Sequence, residues 1–252
     1  MEFAGKVALV TGGGSGIGEA AALQFAARGA QVVVADVVAE QAVRVAAAIT
    51  DAGGTAVACT VDVADETSVA AMVQTAVERF ERLDCACNAA GISPDAAPFH
   101  ETSLSSWTRV VAVNLTGVFL SMRAELAQLV AQDSGGAIVN VSSGAGVVAS
   151  PGQPQYTAAK HGVLGLTKVA AAEYARAGIR VNAVLPGTTD TPMLRRYMDE
   201  NPGIEKFLMR SLPTGRLGQA DEIAAAIVWL CSDAASFVSG DSMLVDGGQV
   251  CR

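Results

Sequence analysis

Residues 6–19 read Lys6-Val-Ala-Leu-Val-Thr11-Gly-Gly-Gly-Ser-Gly-Ile-Gly18-Glu19. An apolar run at 7–10 predicts a buried strand, the glycines predict a tight turn, and the periodicity of 18–28 predicts a helix. Glycine lets the backbone turn sharply and come close to a ligand. The helix N-terminus behind it offers free N–H groups and a partial positive charge, the pattern that receives a pyrophosphate. Gly12, Gly16 and Gly18 mark the turn, with Ser15 and Ile17 between them. The spacing is Thr-Gly-x-x-x-Gly-x-Gly and not Gly-x-Gly-x-x-Gly, so the turn by itself is a weak signal.

Outward from this turn the same alternation repeats. Further β-branched or apolar runs lie at 32–35, 56–61, 85–88, 137–141, 179–184 and 243–245. Helical periodicity fills 38–51, 68–80, 104–132, 155–176 and 221–232. Strands that alternate with helices and are apolar along their length argue for parallel βαβ units buried on both faces. The expected fold is α/β, a doubly wound parallel sheet of about seven strands in a Rossmann-like three-layer sandwich. No linker-like stretch or repeat divides 1–252, so one domain is expected. The least regular stretch is 187–217, interrupted by Pro192, Pro202 and Pro213, and long irregular segments are often binding elements.

Bulk properties narrow the partners. The chain is 51% hydrophobic and 17% charged, enough apolar material for a large core. A net charge of −8 and the lack of a basic run argue against nucleic acid. No run of about 18 uncharged apolar residues and no signal-peptide pattern is present, so no membrane partner and a cytoplasmic location are expected. Cys59, Cys85, Cys87, Cys231 and Cys251 are odd in number and irregularly spaced, unlike a disulfide framework. With His100 and His161 the only histidines, no familiar metal-ligand spacing can be assembled, and no metal site is expected.

Asp36 closes the second strand, 18 residues after Gly18, where a carboxylate can accept from a ribose 2′-hydroxyl and repel a 2′-phosphate. Residues 13–15 and Val37 supply no Arg or Lys, so NAD is favoured over NADP. An ordinary strand-end Asp capping the next helix is the competing reading.

Tyr156 and Lys160 are four apart at the start of a helix and share one face. A free phenol titrates at about 10, and a neighbouring ammonium favours the phenolate, which makes tyrosine usable as a base. Ser142 and Ser143 end the fifth strand, where a hydroxyl can hold the substrate oxygen, and alternation sends the two side chains in opposite directions.

The motifs Thr11 to Gly18, Asp62, Asn88-Ala89-Ala90-Gly91, Asn114, Ser143, Tyr156 with Lys160, Pro186-Gly187 with Thr191, and Asp246-Gly-Gly248 occur in register. In these the sequence resembles the short-chain dehydrogenase/reductase family in its form of about 250 residues, over essentially the whole chain. The resemblance implies Ser143, Tyr156, Lys160 and Asn114 as catalytic residues, with Asn114 holding a water against the lysine. It implies that Asp62 accepts from the adenine amino group, that Val63 packs on the ring and that Asn88, Ala89 and Gly91 line the ribose side. Lys160 would also bind the nicotinamide ribose, while Pro186, Gly187, Thr189 and Thr191 border the nicotinamide and orient its carboxamide. Two departures are mild: Cys87 stands where the family more often has Asn, and Thr189 where it usually has an aliphatic residue.

The implied activity is NAD-dependent hydride transfer between nicotinamide and a secondary alcohol or ketone. Met193, Leu194, Tyr197, Met198, Phe207, Leu208 and Met209 form an apolar set suited to a lid over an apolar substrate, or equally to core or subunit contact. Family members are usually homotetramers, which is expected here. The alternatives are an NADPH-dependent 3-oxoacyl carrier-protein reductase and a non-catalytic NAD-binding regulatory protein.

Overall fold

The computed structural model describes residues 1–201 and 203–251; Pro202, Arg252 and the side chain of Phe207 lie outside the described residues. The chain runs β1 (Val7–Thr11), α1 (Gly16–Ala27), β2 (Gln31–Asp36), α2 (Ala39–Asp51), β3 (Thr55–Thr60), α3 (Glu66–Phe80) and β4 (Cys85–Asn88). It continues through α4 (Leu104–Val111), α5 (Gly117–Gln132), β5 (Gly136–Val141), α6 (Pro154–Tyr174) and β6 (Ile179–Pro186). A short β7 (Thr189–Asp190), α7 (Pro192–Glu200), α8 (Ile204–Ser211), β8 (Gly218–Gln219), α9 (Ala220–Cys231) and β9 (Ser242–Val245) complete it.

The expected strands pair in parallel in the order β3-β2-β1-β4-β5-β6-β9. Their alternation divides the core. Ala8 and Val10 pack under α1, α2 and α9, while Val7 and Leu9 pack under α3, α5 and α6. Both faces of β1 are therefore buried, which explains why its sequence is apolar throughout. The strand order reverses between β1 and β4, with Thr11 opposite Asn88. A crevice opens at such a point beyond the strand ends, so the glycine-rich turn and residues 89–91 flank it.

Two expectations change. The helix expected over 104–132 is continuous in position but passes through a π-helical turn at Ala112–Thr116, with Asn114 fully buried inside it. An extra residue in a helical turn displaces the local side chains, and such bulges occur often at functional sites. This helix is long and apolar enough to cross a membrane, yet Val118, Met122, Leu126 and Leu129 pack into the core beneath β4 and β5.

The stretch 187–217 is more regular than its prolines suggest. Thr191 caps α7, its hydroxyl accepting from Leu194 N at 3.3 Å, and Pro192 occupies the first helical position, where its fixed φ suits a helix start. Pro192 therefore starts a helix. No residue of α7 is fully buried, so little packing holds it to the body.

Candidate active site

Ser143, Tyr156, Lys160 and Asn114 come together beyond the ends of β4 and β5. The strand end sorts the two serines: Ser142 is buried and donates to the Lys160 carbonyl at 2.9 Å. Ser143 faces the other way and hydrogen-bonds the Tyr156 phenol. Lys160 is 4% exposed, donates from Nζ to the Val141 carbonyl at 2.9 Å, and lies 5.5 Å from the centre of the Tyr156 ring. A Cβ on Gly91 would come 3.5 Å from Asn114 Oδ1 and 3.8 Å from Lys160 Nζ, so Gly91 brings the chain onto this cluster. The Asn114 side chain is committed to Ile92, accepting from its N–H at 2.8 Å and donating to its carbonyl at 2.9 Å.

The electrostatics differ from the expectation in one respect. Tyr156 keeps some solvent exposure as a whole residue, yet burial of its phenol raises the pKa above the ordinary value, and only the Ser143 hydrogen bond opposes this. Burial likewise lowers the Lys160 ammonium to about 8. Desolvation disfavours each charged form, so in the protein alone the lysine does not draw the phenol down. A further positive charge near the phenol is needed to make it a base at neutral pH.

The first turn fits a dinucleotide. Gly12 has φ +62°, and a Cβ there would meet the Ala90 backbone at 2.8 Å; one on Gly18 would lie 2.1 Å from the Gly12 carbonyl oxygen. Ser15 precedes α1 without making a side-chain cap, which leaves first-turn N–H groups for a ligand. Ile17 packs on the core below.

Asp36 is 7% exposed and accepts from Gly14 N at 2.9 Å and Val38 N at 3.0 Å, with lone pairs left on each oxygen for a ribose diol. Asp62 is exposed, one carboxylate oxygen accepting from Ala64 N at 2.9 Å, and Val63 is buried against Gly117. A Cβ on Gly16 would lie 3.4 Å from Thr191, so the segment from Pro186 and Gly187 to Thr191 overhangs the glycine-rich turn. Thr189 turns its hydroxyl inward to the Gly187 carbonyl at 2.9 Å. Residues 187–189 also border a cavity of about 310 Å³ with Leu212, Thr214, Arg216 and Glu222, and it includes none of the clustered polar groups.

Asn88 departs from its expected place. Its side chain is 1% exposed and points into the core, donating from Nδ2 to Glu125 Oε2 and to Asn140 Oδ1, both at 3.0 Å. Only the Asn88 backbone, with Ala89, is left to border the ribose side. Asn140 donates onward to Thr167 Oγ1 at 3.0 Å. Glu125 is fully buried, and burial pushes its carboxyl up to about 7.

Sequence reading missed Arg44. No basic residue adjoins the turn in sequence, but α2 brings the Arg44 guanidinium onto the Gly14 carbonyl at 2.9 Å and onto both Glu19 oxygens at 2.7 Å. No local pattern signals this contact across 30 residues.

A family model described as "Enoyl-(Acyl carrier protein) reductase" matches residues 12–249. The chain is 44% identical over 247 residues to a 2,5-dichloro-2,5-cyclohexadiene-1,4-diol dehydrogenase of Sphingobium indicum, covering 98% of each protein. It is 44% identical over 251 residues to a cyclohexanol dehydrogenase of an Acinetobacter species, covering all of this chain and 97% of that one. Among solved structures, that of levodione reductase superposes with a TM-score of 0.94 at 39% identity, covering 98% of both chains.

Proposed function

The chain belongs to the short-chain dehydrogenase/reductase family, and from that premise we propose that it oxidises cyclic secondary alcohols with NAD, or reduces the corresponding ketones, as a single catalytic domain. As a family member it is an oxidoreductase of secondary alcohols and ketones that uses a nicotinamide cofactor. The observation that carries the reading is the convergence of a Ser143 hydroxyl, the Tyr156 phenol and the Lys160 ammonium beside a dinucleotide-shaped turn.

In this reading Ser143 holds the substrate oxygen and Tyr156 takes the hydroxyl proton in oxidation or returns it in reduction. A nicotinamide held here would supply the carbon that accepts or gives hydride, and its oxidised form would add positive charge near the buried phenol. Lys160, anchored to the Val141 carbonyl, supplies a fixed cation over the phenol ring and ammonium hydrogens for the ribose. Asn114, set in the π turn with its side chain bonded to Ile92, is the residue that would hold a water near Lys160. Gly12, Ser15, Gly16, Ile17, Gly18, Asp36, Asp62, Val63, Ala89, Gly91, Pro186, Gly187, Thr189 and Thr191 hold the cofactor, and α7 with α8 covers the substrate.

A ring substrate follows from the relatives, which act on a cyclohexadiene diol and on cyclohexanol. Turnover of cyclohexanol and larger ring alcohols, read at the nicotinamide absorbance, tests this. Activity on linear acyl thioester ketones alone would favour the second reading, a 3-oxoacyl carrier-protein reductase.

The preference for NAD rests on Asp36, whose carboxylate is fixed by two backbone N–H groups and cannot turn away from a 2′-phosphate. Arg44, which reaches the Gly14 carbonyl, is already paired with Glu19. NADH is expected to bind at least about tenfold more tightly than NADPH, a difference of about 1.4 kcal/mol, by fluorescence titration. Equal affinities would remove the assignment.

Arg44 holds the Gly14 carbonyl in place, so Arg44→Met is expected to weaken NADH binding about fivefold while leaving kcat nearly unchanged. A fall in kcat without a change in NADH affinity contradicts that role. A homotetramer is supported by exposed Leu104, Trp107 and Phe119 on α4 and α5, and by exposed Trp229, Phe237 and Leu244 near the β9 edge.

A further inference from the structure

We propose that Gln155 is a positioning residue that fixes the segment 92–98 against the first turn of α6, and thereby sets how tightly an alcohol is held in front of Tyr156. The inference rests on the reading of Tyr156 as the proton-transfer residue. Segment 92–98 has no regular structure of its own. It leaves Gly91 beside Lys160, and near its end Ala97 N donates to the Gly152 carbonyl at 2.9 Å, four residues before Tyr156. The segment therefore spans the site from the ammonium to the approach to the phenol.

Between those ends it is held by Gln155. The Gln155 side chain is 0% exposed, and its Nε2 donates to the Asp95 carbonyl and to Ser106 Oγ, each at 3.2 Å. Ser106 Oγ donates to the Asp95 carboxylate at 3.2 Å, and Arg109 donates to the same oxygen at 2.8 Å. The Asp95–Arg109 pair is mostly exposed and contributes little alone, so the buried amide is the firm point.

Gln155 Oε1 is buried with no partner among the described residues. Its Nε2 alone makes two hydrogen bonds, one to the backbone of 92–98 and one to α4, so this single buried amide ties the loop to the helix that carries the phenol. Small displacements of a positioned substrate have large effects.

The test is Gln155→Met, with Ser106→Ala as a second variant that removes one arm of the tie and little volume. Both are assayed with cyclohexanol and NAD and followed by hydrogen exchange of the 92–98 amides. Gln155→Met is expected to raise KM for the alcohol about tenfold, to leave KM for NAD unchanged and to change Tm little. Exchange in 92–98 becomes faster, and Ser106→Ala shows the same changes in smaller size.

Unchanged alcohol KM and unchanged exchange overturn the proposal. So does an equal rise in both KM values with a lower Tm, the mark of a merely structural role. If Gln155→Met does not fold, Ser106→Ala decides by the same two readouts. If the unmodified protein turns over no alcohol, the proposed function fails, and the exchange experiment still decides whether Gln155 holds the segment.

Discussion

Tyr156→Phe lowers the rate of alcohol oxidation by about a thousandfold while NADH still binds, the loss expected when a positioned acid–base group is removed. The substitution deletes one oxygen and leaves the ring, so packing against Lys160 at 5.5 Å persists. What disappears is the group that exchanges a proton with the substrate, together with the partner of Ser143. Steady-state kinetics with cyclohexanol and a fluorescence titration with NADH measure the two halves separately. A variant that keeps full turnover would falsify the proposed chemistry.

The pH profile carries the same argument. The phenol must be deprotonated to accept a proton, so oxidation rises with pH. Burial lowers the Lys160 ammonium to about 8, so above that pH the site loses the cation that would bind the nicotinamide ribose. Oxidation should therefore level off on the alkaline side, and reduction should be favoured by acid.

Glu125→Gln is expected to become more stable relative to the unmodified protein as pH rises. The folded carboxyl titrates at about 7, against an ordinary value of 4.5, because burial penalises its charge more than the Asn88 hydrogen bond compensates. Its folded pKa is raised, so between 4.5 and about 7 the unfolded chain binds fewer protons than the folded one, and stability falls as pH rises. The penalty is absent below 4.5 and complete above about 7. At 1.36 kcal/mol per pKa unit, it amounts to about 3 kcal/mol.

The amide has no proton to lose. Its Tm advantage over the unmodified protein should widen by roughly 6–12 °C between pH 4.5 and 8. The titratable group facing Glu125 from β4 is Cys87, whose thiol burial pushes well up, so it stays neutral across this range. Parallel Tm curves for the two proteins at all pH values would refute the assignment.

Much of the fold was legible because its signals are local. The strand at 7–10, the glycine turn and the helix behind it depend on neighbours within a few residues, and each lies within a residue or two of its expected place. Tyr156 and Lys160 share a helix, so their juxtaposition follows from spacing alone. The region 187–217 was misread because Pro192 has two meanings, a breaker inside a helix and a good first residue of one. The Thr191 cap decides between them.

By itself, the sequence determined the doubly wound sheet, the dinucleotide turn and the residues offered for proton transfer, since periodicity, glycine conformation and helical spacing act over short distances. Tertiary structure alone decided that the Asn88 side chain turns inward to Glu125, that Arg44 reaches Gly14, that Gln155 holds Asp95 and that burial raises the phenol. These depend on which side chains the crossovers bring together and how much water they exclude, and neither quantity exists until the chain is packed.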